Sequence, residues 1–224
     1  MSAEDVEALG QRCRWGHYSA HQEIVGYLDD SQDVFFVISG EVRAVIYSMS
    51  GKEVTFRDLG PGQMFGEFAA IDGQPRSATV VAQSDSVVAS MSPTVFRDLL
   101  RDHPEVTGIV LQRLVALARS LSERIVEFST LAVKNRIHAE LLRLARSHMA
   151  DDNTAVIKPA PTHVDIASRV STHREAVTRE LSALQRANMI ERRGGGLVIK
   201  DVGALTHLVE EVIGETPPGF DREA

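Results

Sequence analysis

Near Pro93 the apolar residues of this 224-residue chain change period, and that change limits the fold more than any other feature. Up to Met91 the chain runs through short β-branched and aromatic segments: EIVGYL, DVFFVISGEVRAVIY, EVTFRDL, SATVVA and SVVASM. Turn residues divide them at Asp29-Asp30, Ser39-Gly40, Ser50-Gly51, Gly60-Pro61-Gly62 and Asp72-Gly73. Short strands at this spacing predict an antiparallel roll or barrel from about Trp15 to Met91. Beyond Pro93, Leu111, Leu114, Ala118, Leu121, Ile125, Phe128 and Ala132 recur at steps of three and four. This predicts one long helix from about Val106 to about Leu131, with a heptad seam that needs a partner of equal length. An identical helix from a second copy supplies one, so a parallel homodimer through residues 106–131 is expected.

After that helix the sequence VKNRIHAELLRLARSHM is again amphipathic, and DDNTAVIKPAP is a polar, proline-containing connection. Thr162, with Asp165 three residues on, reads as a capping arrangement that opens a short helix, VDIASRV. Ser171-Thr172 breaks it and is expected to cap a second helix, REAVTRELSALQRAN, with Val177, Leu181 and Leu184 inward. MIERRGGGLVIKD follows as a hairpin with a glycine tip, which completes a winged helix-turn-helix pattern. GETPPGFDREA reads as a loose tail.

The net charge of −7 is unevenly placed. Residues 1–132 carry 11 Lys and Arg against 18 Asp and Glu, whereas residues 133–200 carry 12 against 7. An acidic front and a basic rear suggest two tasks. The lone Cys13 excludes an internal disulfide and any cysteine-ligated zinc or iron–sulfur site within one subunit. No run of eighteen apolar residues occurs, and the N-terminus lacks a basic region followed by an apolar one, so a cytoplasmic protein without a membrane partner is expected. No Ser-His-Asp, paired-carboxylate or Walker-type spacing stands out, and an enzyme is not expected.

One stretch carries chemistry: FGEFAAIDGQPRSATVVA, residues 65–82. Glu67 follows Gly66, and Arg76 stands nine residues beyond it with Ser77 next in line. A guanidinium fork pairs with phosphate oxygens by charge-assisted bonds, and a serine hydroxyl adds a donor. Backbone amides at a helix start add more, with Gly66 allowing close approach. A carboxylate accepts from a sugar hydroxyl. The set suits a phosphate together with a diol.

These elements in this order resemble the Crp/Fnr family of bacterial transcription regulators over nearly the whole chain, from about Trp15 to about Val212. The most specific piece is the phosphate-binding cassette, FGE followed by RSA. The resemblance implies an α+β protein: a cyclic-nucleotide-binding β-roll (residues 1–104), a dimerisation helix (105–132) and a DNA-binding winged helix-turn-helix domain (133–224). It implies that Gly66, Glu67, Arg76 and Ser77, flanked by Phe65 and Phe68, hold the ribose phosphate of cAMP or cGMP, Glu67 taking the 2′-hydroxyl. In the family a Thr-Ser pair on the long helix caps the base; here it reads Leu121-Ser122. Phe56 is expected to face the roll interior under the purine, and Arg57, where the family's cyclic AMP receptor has a small polar residue, is a candidate reader of guanine O6 and N7.

At the other end the resemblance implies base contacts from Arg174, Glu175 and Arg179, phosphate contacts from Thr162 and His173, and backbone contacts from Arg192 and Arg193 in the wing. One departure is Ala176, which replaces a phosphate-binding threonine. The implied partner is a palindromic double-stranded operator with TGTGA-like half-sites, with RNA polymerase as a further one. Two alternatives stay open: a cyclic-nucleotide module acting on a protein partner, and a regulator of the same family that needs no ligand. A haem-binding relative would need an axial histidine, but His17, His21, His103, His138, His148, His163, His173 and His207 read as surface or helix-end residues without metal spacing.

Overall fold

The computed structural model describes residues 3–48, 53–150 and 152–213, so the Ser50-Gly51 turn, Asp151 and the GETPPGFDREA tail lie outside the described residues. The chain divides into two compact units, residues 1–117 and 118–224.

The first unit opens with α1 (Ala3–Gln11), then β1 (Arg14–Tyr18), β2 (Glu23–Val25), β3 (Val34–Ser39), β4 (Val42–Tyr47), β5 (Glu53–Leu59), β6 (Met64–Phe65), α2 (Glu67–Asp72), β7 (Thr79–Ala82) and β8 (Ser86–Met91). The strands form two antiparallel four-stranded sheets, in the orders β1-β8-β3-β6 and β2-β7-β4-β5. At the expected turns Gly40, Gly62 and Gly73 take positive φ, whereas the β1–β2 and β7–β8 connections carried no turn signal in the sequence. Between the sheets lies a core of Val25, Phe35, Val37, Val42, Ala44, Leu59, Phe65, Val80 and Val88. Pro93 does not merely end the roll. It sits at the first turn of α3 (Pro93–Asp102), behind an N-cap, Ser92, whose side chain accepts from the Val95 amide. Phe96 and Leu99 of α3 close a second core with Val34, Met64, Ala70, Met91 and Val110.

The long helix is α4 (Pro104–Thr130), 27 residues. Its exposed large apolar residues are Ile109, Leu111, Val115, Leu121, Ile125 and Val126, with Ile125 65% exposed. The expected seam is therefore partly corrected. Leu114 packs on the Phe96 core of the first unit, and Phe128 is half-buried between the guanidinium groups of Arg124 and Arg136, 5.5 and 5.4 Å from its ring centroid. The exposed register is Leu111, Val115, Ala118, Ser122 and Ile125, which places Ser122 within the stripe.

The second unit continues with α5 (Val133–Ala145), β9 (Ala155–Ile157), α6 (His163–Arg169), α7 (Arg174–Arg186), β10 (Ile190–Arg193), β11 (Gly196–Ile199) and α8 (Val202–Ile213). Its sheet runs β10-β11-β9, antiparallel throughout. Gly194 and Gly195 have φ of 56° and 74°, which makes a two-residue hairpin tip between Arg193 and Gly196. Thr162 and Asp165 form the expected capping box. The second helix departs from expectation: Ser171 takes φ 51°, Thr172 is buried, and the N-cap position falls to His173, whose side chain makes no cap bond. Ile137, Leu141, Ile166, Val177, Leu181, Leu184, Ile190, Leu197 and Leu205 meet in one core.

Candidate functional site

Gly66 adopts φ 82° at the N-cap of α2, and a Cβ there would lie 2.6 Å from Arg76 Nη1 and 2.8 Å from the Asp33 carbonyl oxygen. Only glycine fits, because both the backbone conformation and the space exclude a side chain. The same geometry brings the two halves of the cassette together. Arg76, 3% exposed, donates from Nε to Ser31 Oγ (3.1 Å), from Nη1 to the Gly66 carbonyl (3.0 Å) and from Nη2 to the Asp33 carbonyl (2.8 Å). Its guanidinium also lies 5.4 Å from the centroid of Phe35, which stacks on Phe65 at 4.9 Å. Burial pushes the Arg76 pKa down, and the charges of Asp33, Asp29 and Glu67 push it back. Glu67, the first residue of α2, is 4% exposed. Its ion-pair partner is Arg57, whose Nη2 stands 3.6 Å from Glu67 Oε1 and also donates to the Met64 carbonyl at 3.4 Å. Ser77 and Phe68 are exposed beside this group.

Phe56 corrects an expectation. It is 38% exposed rather than facing the roll interior. The β4–β5 register explains why: Ala44 pairs with Arg57 and Val45 with Thr55, so Phe56 is the extra residue of a β-bulge. Strict alternation along EVTFRDL fails at that point. Leu121 and Ser122 are exposed on α4 in the second unit, and Ser122 Oγ donates to the Ala118 carbonyl at 3.0 Å.

In the second unit His173, Arg174, Glu175 and Arg179 are exposed on and before α7, Arg192 and Arg193 are exposed on β10, and Thr162 is exposed at the start of α6. Two residues that were not singled out for this face join it. Thr178, one turn after Arg174, donates to the Arg174 carbonyl (3.0 Å) and contacts His163 Nδ1 at 2.7 Å. Since the Thr178 hydroxyl is spent on that carbonyl, His163 Nδ1 is the donor of the second bond. Burial, then Arg192 and Arg174, lowers the His163 pKa. Thr178 was legible as the residue four after Arg174 on one helix face. His163 gave no such signal.

Beneath this face lies a buried ionic group. Glu140 on α5 is fully buried and ion-paired to Arg143, to Arg124 of α4 (3.6 Å) and to Arg169 of α6 (3.5 Å). Arg143 also bonds Glu127 of α4 at 2.6 Å, and Arg124 donates to the Arg169 carbonyl. Burial lowers the Arg124 pKa against the pull of Glu140. The partners are scattered along the sequence, so no local pattern announces them. His138, expected at a surface, is buried with Nε2 2.7 Å from Glu180 Oε1 of α7. His17 lies in β1 and His21 in a turn at φ 68°, so their i, i+4 spacing forms no helical pair. Among the described residues no three His, Cys, Asp or Glu side chains group to hold a metal, and no helix is long and apolar enough to cross a membrane.

Two family models match the chain: the cyclic nucleotide-binding domain over residues 15–103 and the Crp-like helix-turn-helix domain over residues 135–208. The cAMP-activated global transcriptional regulator CRP of Escherichia coli O6:H1 is 30% identical over 195 residues, covering 87% of this chain and 93% of that protein. Its counterpart in Haemophilus influenzae is 28% identical over 188 residues, 84% of each chain. A solved structure of a CooA mutant from Carboxydothermus hydrogenoformans superposes with a TM-score of 0.79 at 19% identity, over 90% of both chains, and shows the shared fold. With a β-roll that bears the FGE and RSA cassette and a helix-turn-helix that bears an exposed basic helix, the chain belongs to the Crp/Fnr family of DNA-binding transcription regulators and carries a cyclic-nucleotide-binding domain.

Proposed function

We propose that the chain acts as a homodimer whose operator binding is controlled by a cyclic purine mononucleotide, cAMP or cGMP. The observation that carries this reading is the convergence of Gly66, buried Glu67 and Arg76, residues ten apart in sequence, on one point of the roll. On this reading α2 offers its first amides and Arg76 its guanidinium to the phosphate, Ser77 adds a hydroxyl, and Glu67 takes the ribose 2′-hydroxyl. The exposed stripe Leu111, Val115, Ala118, Ser122 and Ile125 is then the dimer seam, since a helix of 27 residues with an uncovered apolar face buries it best against a copy of itself. Arg174, Glu175 and Arg179 read base edges in the major groove, while Thr162, His173, Arg192 and Arg193 hold phosphates of a palindromic operator with TGTGA-like half-sites. RNA polymerase is a further partner of the bound dimer.

A ligand-free mode of action is the second reading. It is favoured by the structural ties of Arg76, three of whose five N–H donors already meet Ser31, Asp33 and Gly66. Gel shifts of a palindromic operator with and without saturating cAMP or cGMP decide between them. Nucleotide-dependent retardation supports the first reading, and equal affinity in all three conditions supports the second.

A further inference from the structure

Arg57 and Arg76 stand on either side of a buried carboxylate, Glu67, in sequence. Glu67 is 4% exposed, and a carboxylate taken from water needs a paired cation. Arg76 makes no ion pair or hydrogen bond to it, and donates instead to Ser31, Gly66 and Asp33. The nearby Asp33 carboxylate is itself paired with Arg14, and that of Asp29 accepts from the Gly26 amide, so neither draws Arg57 away. Arg57 reaches Glu67 Oε1 at 3.6 Å and is anchored there by its bond to the Met64 carbonyl, one strand residue before Phe65 and Gly66. Its guanidinium therefore lies at the carboxylate end of the cassette.

Resting on the cyclic-nucleotide reading of this site, we infer that Arg57 is a positioning residue that neutralises Glu67, so that the cassette can accept a phosphate monoanion beside a buried carboxylate. With Arg57 in place, the Glu67 carboxylate has a guanidinium of its own, and that of Arg76 is left to a cyclic phosphate. Without it, Arg76 alone serves both the carboxylate and the phosphate, and like charges close together in a poorly solvated site disfavour each other. The role is independent of the base, in contrast to a guanine-reading arginine, which would favour one nucleotide.

The test is a double-mutant cycle read by calorimetry on the full chain, with cAMP and with cGMP as titrants. Arg57→Ser should weaken whichever nucleotides the wild type binds by a common factor of about tenfold, the partial exposure of Arg57 limiting the effect. Arg57→Lys, which keeps the charge, should restore most of the affinity. In a Glu67→Gln background the Arg57→Ser change should cost little, because no carboxylate is left to neutralise. Melting curves without nucleotide separate unfolding from lost binding. A loss confined to one nucleotide, unchanged affinity in Arg57→Ser, or additive losses in the double variant would overturn the inference while leaving nucleotide control standing. A wild type that binds neither nucleotide overturns nucleotide control, and this role of Arg57 with it.

Discussion

Arg76 donates to the main-chain carbonyl of Asp33 across 2.8 Å, and this bond ties the phosphate-binding cassette to the loop that leads into β3. The arginine proposed to meet a nucleotide is also a structural member of the roll. Replacing it removes the partners of two main-chain carbonyls and a serine hydroxyl at one stroke. Arg76→Leu should abolish nucleotide binding and also lower the unfolding free energy of the unliganded protein by about 1–3 kcal/mol. Calorimetry and a thermal melt without ligand measure the two effects. An unchanged melt would show that these bonds contribute nothing to the roll.

Gly66→Ala meets two obstacles, a φ of 82° and a Cβ that would stand 2.8 Å from a main-chain oxygen. Strain of this kind costs on the order of 1–3 kcal/mol. The expected outcome is a lower melting temperature with nucleotide binding lost, and a variant as stable as the wild type would contradict the cradle geometry.

Glu140 stands among three arginines with its side chain 1% exposed. Glu140→Ala strands buried positive charge and should cost about 3–5 kcal/mol. The loss should appear in the unfolding of residues 118–224, with hydrogen exchange rising in α5 and α6, while the β-roll amides keep their protection. Uniform loosening of both units would argue against a local role.

Arg174→Ala should cost about 1–3 kcal/mol of operator binding and relax discrimination at one base pair, whereas Arg193→Ala should weaken all sequences evenly and flatten the salt dependence. Binding to a set of single-base operator variants at several salt concentrations distinguishes them. Identical behaviour of the two would remove Arg174 from base reading.

His163 has a pKa held below the ordinary histidine value by burial and by Arg192 and Arg174. The unfolded chain therefore takes up its proton first, and the stability this site contributes is present above about pH 6.5 and is lost as pH falls below it. A bound DNA phosphate would favour the protonated ring, so operator affinity should move the opposite way and rise on acidification. His163→Gln should flatten both profiles. Melts and gel shifts across this pH range with no difference between the two proteins would remove His163 from either effect.

The order of elements was legible because turn residues and hydrophobic period are local properties. EVTFRDL shows where this stops: its alternation predicts Phe56 inward, but the bulge against Ala44 and Val45 depends on a partner strand that the segment does not contain. The seam of α4 failed at Leu114 and Phe128 for a related reason. Leucine and phenylalanine at heptad spacing read alike whether they face a second copy or their own chain, and here one meets the Phe96 core and the other a pair of guanidinium groups. The strand β9 and helix α8 were not singled out, although Asp152-Asn153 turns the chain into the first and Asp201 caps the second, its carboxylate accepting from the Ala204 amide at 2.8 Å. The convergence of Gly66, Glu67 and Arg76 was legible because groups that suit a phosphate and a sugar hydroxyl stand together in one short segment. The structural bonds of Arg76 were not, because two of its three acceptors are main-chain carbonyls, which every residue has.

In α4, Arg124 is buried and its neighbour Ile125 is 65% exposed. Successive residues of an α-helix point about 100° apart, so a roll of the helix by one residue would push the guanidinium of Arg124 out of its pairing with Glu140 and drag Ile125 toward that ionic group. Both changes oppose the roll, and a roll in the opposite sense breaks the same pairing and turns Glu123, a second carboxylate, toward Glu140. The end of α4 thus resists torsion about its own axis, much as a keyed shaft is held from spinning in its collar.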